Sequence, residues 1–292
     1  MFDEIKKYSQ NAQAVTQAQT LLRACGYIIG VDGNFGDKTE AIIKQFQGDN
    51  NLVADGIVGE KTWQVLFLKA NNHLSATTSR FLSEFDLLKA ADKLGIEVAA
   101  IKAVNEVESR GSGFLNDFPV ILFERHIFWK RLQAWGVDPV PLAQGNENIL
   151  GATWERQYYK GGVKEIARLE QAKTIHTQAA LESASWGAFQ IMGFHWKKLG
   201  YANVEEFVTR MMTNEAEHLE AFSRYINTFG CIRGLRLVPG QSILTLDNFS
   251  QFAHCYNGPG YKENKYHSKM FNAYLRYRRQ VQQLPIQEPL AA

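Results

Sequence analysis

The chain has 292 residues, 45% of them hydrophobic and 21% charged, which is room for one large or two ordinary soluble domains. A formal net charge of +2 is too mild for a nucleic-acid-binding protein but is compatible with an anionic polymer as partner. No stretch is long and apolar enough to span a bilayer, so stable membrane insertion is not expected, and the N-terminal run Met1-Phe2-Asp3-Glu4-Ile5-Lys6-Lys7 lacks the apolar core of a signal segment. The three cysteines, Cys25, Cys231 and Cys255, are too few and too scattered to predict a disulfide framework or a zinc site, and they suit synthesis in a reducing cytoplasm.

One octapeptide pattern occurs twice near the N-terminus. Asp32-Gly33-Asn34-Phe35-Gly36-Asp37-Lys38-Thr39 reads D-G-x-apolar-G-x-x-T, and Asp55-Gly56-Ile57-Val58-Gly59-Glu60-Lys61-Thr62 repeats it twenty-three residues further on. Such a repeat predicts two copies of one supersecondary unit, with the glycines at positive-φ turn positions and each Thr placed to cap the helix that follows. Helices are expected over residues 40–47 and from Trp63 onward. The Asp and Gly residues read as turn formers, and Phe35, Phe46 and Trp63 as core.

This unit resembles the three-helix peptidoglycan-binding domain found on many cell-wall hydrolases. The resemblance rests on Val15, Ala18-Gln19 and Leu22, on Gly26-Tyr27 and Gly30, on both octapeptides, on Phe46-Gln47 and on Thr62-Trp63, and covers roughly residues 10–67. It implies peptidoglycan as a partner, with Asp32, Phe35, Asp55 and Trp63 as candidate wall-binding positions. Residues 68–82 are polar and without periodicity and are expected to be a linker between a domain at 1–67 and one at 83–292.

Beyond the linker the pattern is mostly helical. Helices are predicted over 83–94, stopped at Gly95, and over 97–109, a very apolar stretch ended by Gly111 and Gly113. Residues 120–123 are a short apolar run, either a strand or a buried helix start, and 136–162 is turn-rich. Further helices are expected over 164–182, 204–229 (as one or two), 246–255 and 266–283, the last with Arg276, Arg278 and Arg279 on a face that is either solvated or turned to outer-membrane lipid. The fold class expected is mainly α, with a short β segment allowed.

Three segments carry candidate chemistry. In Val104-Asn105-Glu106-Val107-Glu108-Ser109, two carboxylates two positions apart on a helix face roughly opposite sides, so one should be solvated and the other should point into the domain. A carboxyl at the end of a buried apolar helix gains proton affinity by desolvation, which suits a general acid, although two surface charges would give the same sequence. In Ser183-Ala184-Ser185-Trp186-Gly187-Ala188-Phe189-Gln190-Ile191-Met192-Gly193, small residues beside aromatics allow either close approach of a polymer or a tight packing corner. In Tyr256-Asn257-Gly258-Pro259-Gly260-Tyr261 a helix ends in a Gly-Pro turn. None of the seven histidines has zinc-site spacing, and no metal or cofactor is expected.

In this order on a helical domain, the three segments resemble the lysozyme-like fold of soluble lytic transglycosylases and goose-type lysozymes, and more closely the N-acetylmuramidase domain common in phage endolysins. Ile121-Leu122-Phe123-Glu124-Arg125-His126 adds to the match, which spans about residues 84–280. The resemblance implies cleavage of the β-1,4 bond between N-acetylmuramic acid and N-acetylglucosamine. Glu108, the Glu followed by Ser, would be the acid, and Gln190, Tyr256 and Asn257 would contact sugar, with Ser185, Trp186 and Tyr261 as further candidates. Glu124 is the candidate second carboxylate, either buried and paired with Arg125 or positioning water. The competing readings are a lytic transglycosylase, a chitinase-like glycosidase, and a non-catalytic wall-binding virion protein. The implied setting is a monomeric lysis enzyme that waits in the host cytoplasm and reaches the periplasm and wall through a holin-like permeabilising partner.

Overall fold

The computed structural model describes residues 3–75, 80–109 and 111–282. Residues 76–79 of the predicted linker, Arg110 and Gln283 lie outside the described residues. In chain order, α1 (Ala12–Ala24), α2 (Asp37–Asp49), α3 (Glu60–Ser75), α4 (Glu84–Leu94) and α5 (Val98–Glu108) come first. A β-rich stretch follows, with β1 (Phe114–Leu115), β2 (Phe118–Pro119) and β3 (Ile121–Phe123), then α6 (Arg125–Ala134), α7 (Val140–Ala143), α8 (Val163–Lys173) and α9 (Thr177–Glu182). The remainder is β4 (Ala184–Trp186), β5 (Ile191–Met192), α10 (Val204–Met211), α11 (Glu215–Thr228), α12 (Leu246–Asn257) and α13 (Tyr266–Gln282). The fold is mainly α, with short strands. Two compact units are formed, one from Met1–Ser79, Ser83–Asn105 and Ile232–Ala292, the other from Arg80–Leu82 and Glu106–Cys231.

In the first unit, the repeated octapeptides are paired loops, each plugged by a buried glutamine from the helix before it. Gln19 donates to Asp32 Oδ1 (2.7 Å), the Asn34 carbonyl (3.0 Å) and Thr39 Oγ1 (3.1 Å), and accepts from the Asp32 and Gly33 amides. Gln47 repeats the pattern with Asp55 Oδ1 (2.9 Å), the Ile57 carbonyl (2.8 Å), Thr62 Oγ1 (3.2 Å) and the Gly56 amide (2.8 Å). A planar amide with two donors and an acceptor satisfies a whole turn from inside, where water cannot reach. Thr39 and Thr62 are therefore not the caps expected of them: their hydroxyls donate back to the carbonyls of Asn34 and Ile57, and α2 is preceded by Gly36 with no side-chain cap. Gln47→Ala should cost about 1–3 kcal/mol by stranding a buried amide N–H and loop carbonyl, measured as a lower denaturation midpoint, whereas the exposed Lys61→Ala should leave it in place.

Two candidate wall-binding residues take the core role that was also expected of them. Phe35 and Trp63 are fully buried with Val15, Leu22 and Phe46, and the Trp63 indole donates to the Asp3 carbonyl (3.0 Å), so neither presents a ring to a glycan. Asp32 and Asp55 also brace their own turns, accepting from the amides of Asn34 and Ile57 (both 2.9 Å). Helix α3 continues through Leu68 to Ser75, inside the predicted linker, because Leu66 and the buried Ala70 extend its apolar face by one turn.

Helix α4 begins at a capping box between Ser83 and Asp86 and ends at Gly95, whose left-handed φ of 63° closes the last turn. Helices α12 and α13 pack through Phe249 and Tyr274, ring centroids 5.4 Å apart. Arg278 is tied into the unit, its Nε 3.2 Å from Glu97 and a terminal nitrogen donating to the Ser242 carbonyl (3.0 Å), so α13 is not a uniformly solvated basic face.

The second unit folds helices around an antiparallel sheet of order β3-β4-β5, in which Ile121 pairs with Trp186 and Ser185 with Met192. The region 164–182 is two helices, separated where the chain turns at Thr174-Ile175-His176. Likewise 204–229 is two, the second capped by Asn214. Burial pushes the His195 imidazole down from 6.5 to about 4 among the rings of Phe194, Tyr225 and Phe229. Between those pH values the unfolded chain binds a proton that the folded one refuses, so stability is full above about pH 6.5 and falls as pH drops toward 4. The melting temperature should fall across that window, and His195→Phe should flatten the fall.

Cys231 and Cys255 are disulfide-bonded and Cys25 is the free thiol. This corrects the expectation that three such scattered cysteines would not be used in disulfide bonding.

Candidate active site

Helix α5 is apolar along its length, with Ala99, Ala100, Ile101, Ala103 and Val104 buried, and Glu108 is its last residue. Glu108 is half-buried while Glu106 is exposed, as their opposite positions on the helix require. The loop beyond is fixed by two hydrogen bonds. The Gly113 amide donates to Glu215 Oε1 (2.6 Å), and the Gly113 carbonyl accepts from the Val120 amide (2.8 Å).

Val120 connects this loop to the Gln190 turn. Its carbonyl accepts from the Gly187 amide (2.8 Å) and from Gln190 Nε2 (3.2 Å). Gln190 sits in the left-handed region at φ 51°, a conformation held only where the surroundings compensate. Its amide also donates to the Gly187 carbonyl (2.8 Å) and accepts from Ser185 Oγ (2.9 Å). Beneath lies His218, whose Nδ1 accepts from the Ala188 amide (3.1 Å), whose Nε2 donates to the Met211 carbonyl (2.8 Å), and whose ring stacks on Phe114 at 4.9 Å. Burial holds this imidazole below its ordinary range, hence neutral. Gly113 and Gly187 are required here, since a Cβ on either would come within 2.5 or 2.6 Å of the His218 ring.

Glu124 closes β3 and begins α6, its amide donating to the Ser183 carbonyl (2.9 Å). One carboxylate oxygen accepts from the Tyr159 hydroxyl and lies 3.4 Å from His126 Nδ1. Burial lowers the proton affinity of His126, and burial together with the Glu124 hydrogen bond keeps the Tyr159 phenol protonated. The pairing of Glu124 with Arg125 does not occur. Arg125 is itself buried and points the other way, to Glu155 (2.6 Å) and to the carbonyls of Leu150 and Thr153 (both 3.3 Å).

Trp186 and Ser185 turn out to be structural. Trp186 is buried and donates to the Leu181 carbonyl (3.2 Å), which leaves no ring face for a sugar, and Ser185 is buried with its hydroxyl on Gln190. The side-chain amide of Gln190 is engaged within the protein at both ends. In the first unit, Tyr256 is half-buried and stacks on Phe252 (5.8 Å, 13°), Asn257 ends α12, and Tyr261 is buried between His254 and His267. Among the described residues no three His, Cys, Asp or Glu side chains are grouped to hold a metal ion.

The residues that hold Glu124 were not singled out in the sequence. Glu165 and Arg168, one turn apart on α8, form a buried pair (2.5 Å). Glu165 also accepts from the amides of Phe123, Lys160 and Gly161, and Arg168 donates to the Phe123 carbonyl (2.9 Å). Two charges at i and i+3 on a predicted helix ordinarily mark a solvated face, so no signal distinguishes them.

Residues 97–278 match the N-acetylmuramidase family and residues 11–66 the peptidoglycan binding domain family. The two together define the class: a modular peptidoglycan hydrolase. A solved structure described as the crystal structure of Burkholderia AP3 phage endolysin is 40% identical, with 95% of this chain and 100% of that one covered and a TM-score of 0.62. The chain belongs to the N-acetylmuramidase family.

Proposed function

We propose that this protein is a phage endolysin that hydrolyses the β-1,4 bond between N-acetylmuramic acid and N-acetylglucosamine, with Glu108 as general acid. The observation that carries this reading is the position of Glu108: half-buried at the end of the apolar helix α5, in the region matched by the muramidase family.

Protonation of the glycosidic oxygen breaks the bond as positive charge develops on an oxocarbenium-like sugar. A water then adds, and Glu124 is the carboxylate that would accept its proton. The Tyr159 hydroxyl donates to Glu124 and His126 Nδ1 lies 3.4 Å from the same oxygen, which positions the carboxylate. A second carboxylate supported in this way favours water addition over internal attack by the muramoyl 6-hydroxyl, which needs none.

The module at residues 11–66 would hold the enzyme on its polymer and raise the local substrate concentration. The protein would act as a monomer, wait in the host cytoplasm, and reach the wall through a holin-like partner. The disulfide-bonded Cys231 and Cys255 suit the oxidising periplasm beyond that barrier. Turbidity of outer-membrane-permeabilised cells tests the whole reading: clearing by the wild type is expected. No clearing by folded, wall-bound wild type would leave a non-catalytic wall-binding protein.

A further inference from the structure

We propose that Trp154 is a glycan-stacking platform that binds the apolar face of a pyranose, an N-acetylhexosamine of the glycan strand, beside Glu124. This deepens the muramidase reading and rests on it. Trp154 is 57% exposed on an irregular loop, where burial of an indole contributes nothing to the core. Its ring lies against Tyr159, centroids 5.6 Å apart and planes at 33°, and the Tyr159 hydroxyl donates to Glu124. A single side chain therefore separates the exposed indole from the candidate carboxylate.

The loop bearing Trp154 is also firmly built. Arg125, the residue after Glu124, is 4% exposed and clamps the loop on both sides of the indole. It donates to the carbonyls of Leu150 and Thr153 (both 3.3 Å) and to Glu155 Oε1 (2.6 Å). Gly151 packs so closely on the guanidinium that a Cβ would sit 1.7 Å from Nη2, so a side chain there would dislodge the clamp. From beneath, Arg168 lies 5.2 Å from the Tyr159 ring.

A buried cation that fixes an exposed aromatic is a pre-organised surface, and such a surface binds with less ordering cost than a mobile one. A flat, electron-rich indole face complements the polarised C–H groups of a β-linked pyranose. The chain thus places a sugar-sized platform and a carboxylate on one continuous aromatic ledge, Trp154–Tyr159–Glu124, with Arg125 as its positioning residue.

The test measures binding without turnover. In a Glu108→Gln background, affinity for glycan strands freed of their stem peptides is compared with and without Trp154→Ala, and with Trp154→Phe as the variant that keeps a ring. We expect Trp154→Ala to weaken binding about tenfold and Trp154→Phe to recover it to within about threefold. In the otherwise wild-type enzyme the Ala variant should raise KM more than it lowers kcat, with the melting temperature unchanged because the indole is exposed. Unaltered affinity and KM in Trp154→Ala would overturn the proposal, as would a loss that Trp154→Phe does not recover. If Glu108→Gln proves fully active, the general-acid assignment falls by itself, and the effect of Trp154 on binding is still read separately.

Discussion

Glu108→Gln is expected to lower turnover of purified peptidoglycan by about 10²–10⁴-fold, the usual worth of a positioned general acid, while retention on insoluble wall stays at the wild-type level. Glutamine keeps the size and hydrogen-bonding reach of the side chain but has no acidic proton to give to the glycosidic oxygen. Because Glu108 ends α5 and the wall-binding module matches residues 11–66, the substitution leaves that module untouched. Initial rates measure the first quantity and co-sedimentation with washed sacculi the second. Glu106→Gln is the control: two residues away, on the exposed side of the helix, it should keep its activity. Activity of Glu108→Gln within threefold of wild type would remove Glu108 from the acid role.

The largest expected loss of stability is at Glu165. This side chain is 0% exposed and gathers four donors: Arg168 and the backbone amides of Phe123, Lys160 and Gly161. Glu165→Leu leaves the Arg168 guanidinium buried without its counter-charge, a situation that costs about 3–5 kcal/mol. Chemical denaturation should show that loss as a lower midpoint with an unchanged slope. Activity should fall with it, since Phe123 precedes Glu124 and Arg168 lies against the Tyr159 ring that supports Glu124. The double variant Glu165→Leu with Arg168→Met should recover part of the stability by removing the orphaned charge, because the two sites are coupled. A single-variant loss below about 1 kcal/mol, as for an exposed ion pair, would show that the pair does not brace the site.

Much of this molecule was legible in its sequence because local chemistry and tertiary structure agree. Helix α4 was readable from the Ser83 start and the Gly95 stop, and α5 from its unbroken apolar run ending at glycines. The doubled loop was readable as a repeat. The plugs that hold it together, Gln19 and Gln47, were visible only as letters in a motif, since a glutamine is ordinarily a surface residue and nothing local marks one as buried. The same ambiguity made Phe35, Trp63 and Trp186 candidates for two roles at once. An aromatic beside glycines reads equally as a sugar platform or as core, and burial decides which. Arg125 beside Glu124 suggested a pair, but neighbours in sequence at a strand-to-helix junction point apart, and Arg125 instead reached thirty residues along the chain to Glu155. Tyr159 and Trp154 lay in the turn-rich stretch 136–162, where no periodicity assigns a side chain to a face.

Mass spectrometry of the fragments released from purified peptidoglycan tests the central claim most directly. Reducing N-acetylmuramic acid ends are expected from the wild-type protein and no such fragments from Glu108→Gln. Fragments with 1,6-anhydro ends, or an identical fragment set from the two proteins, would contradict it.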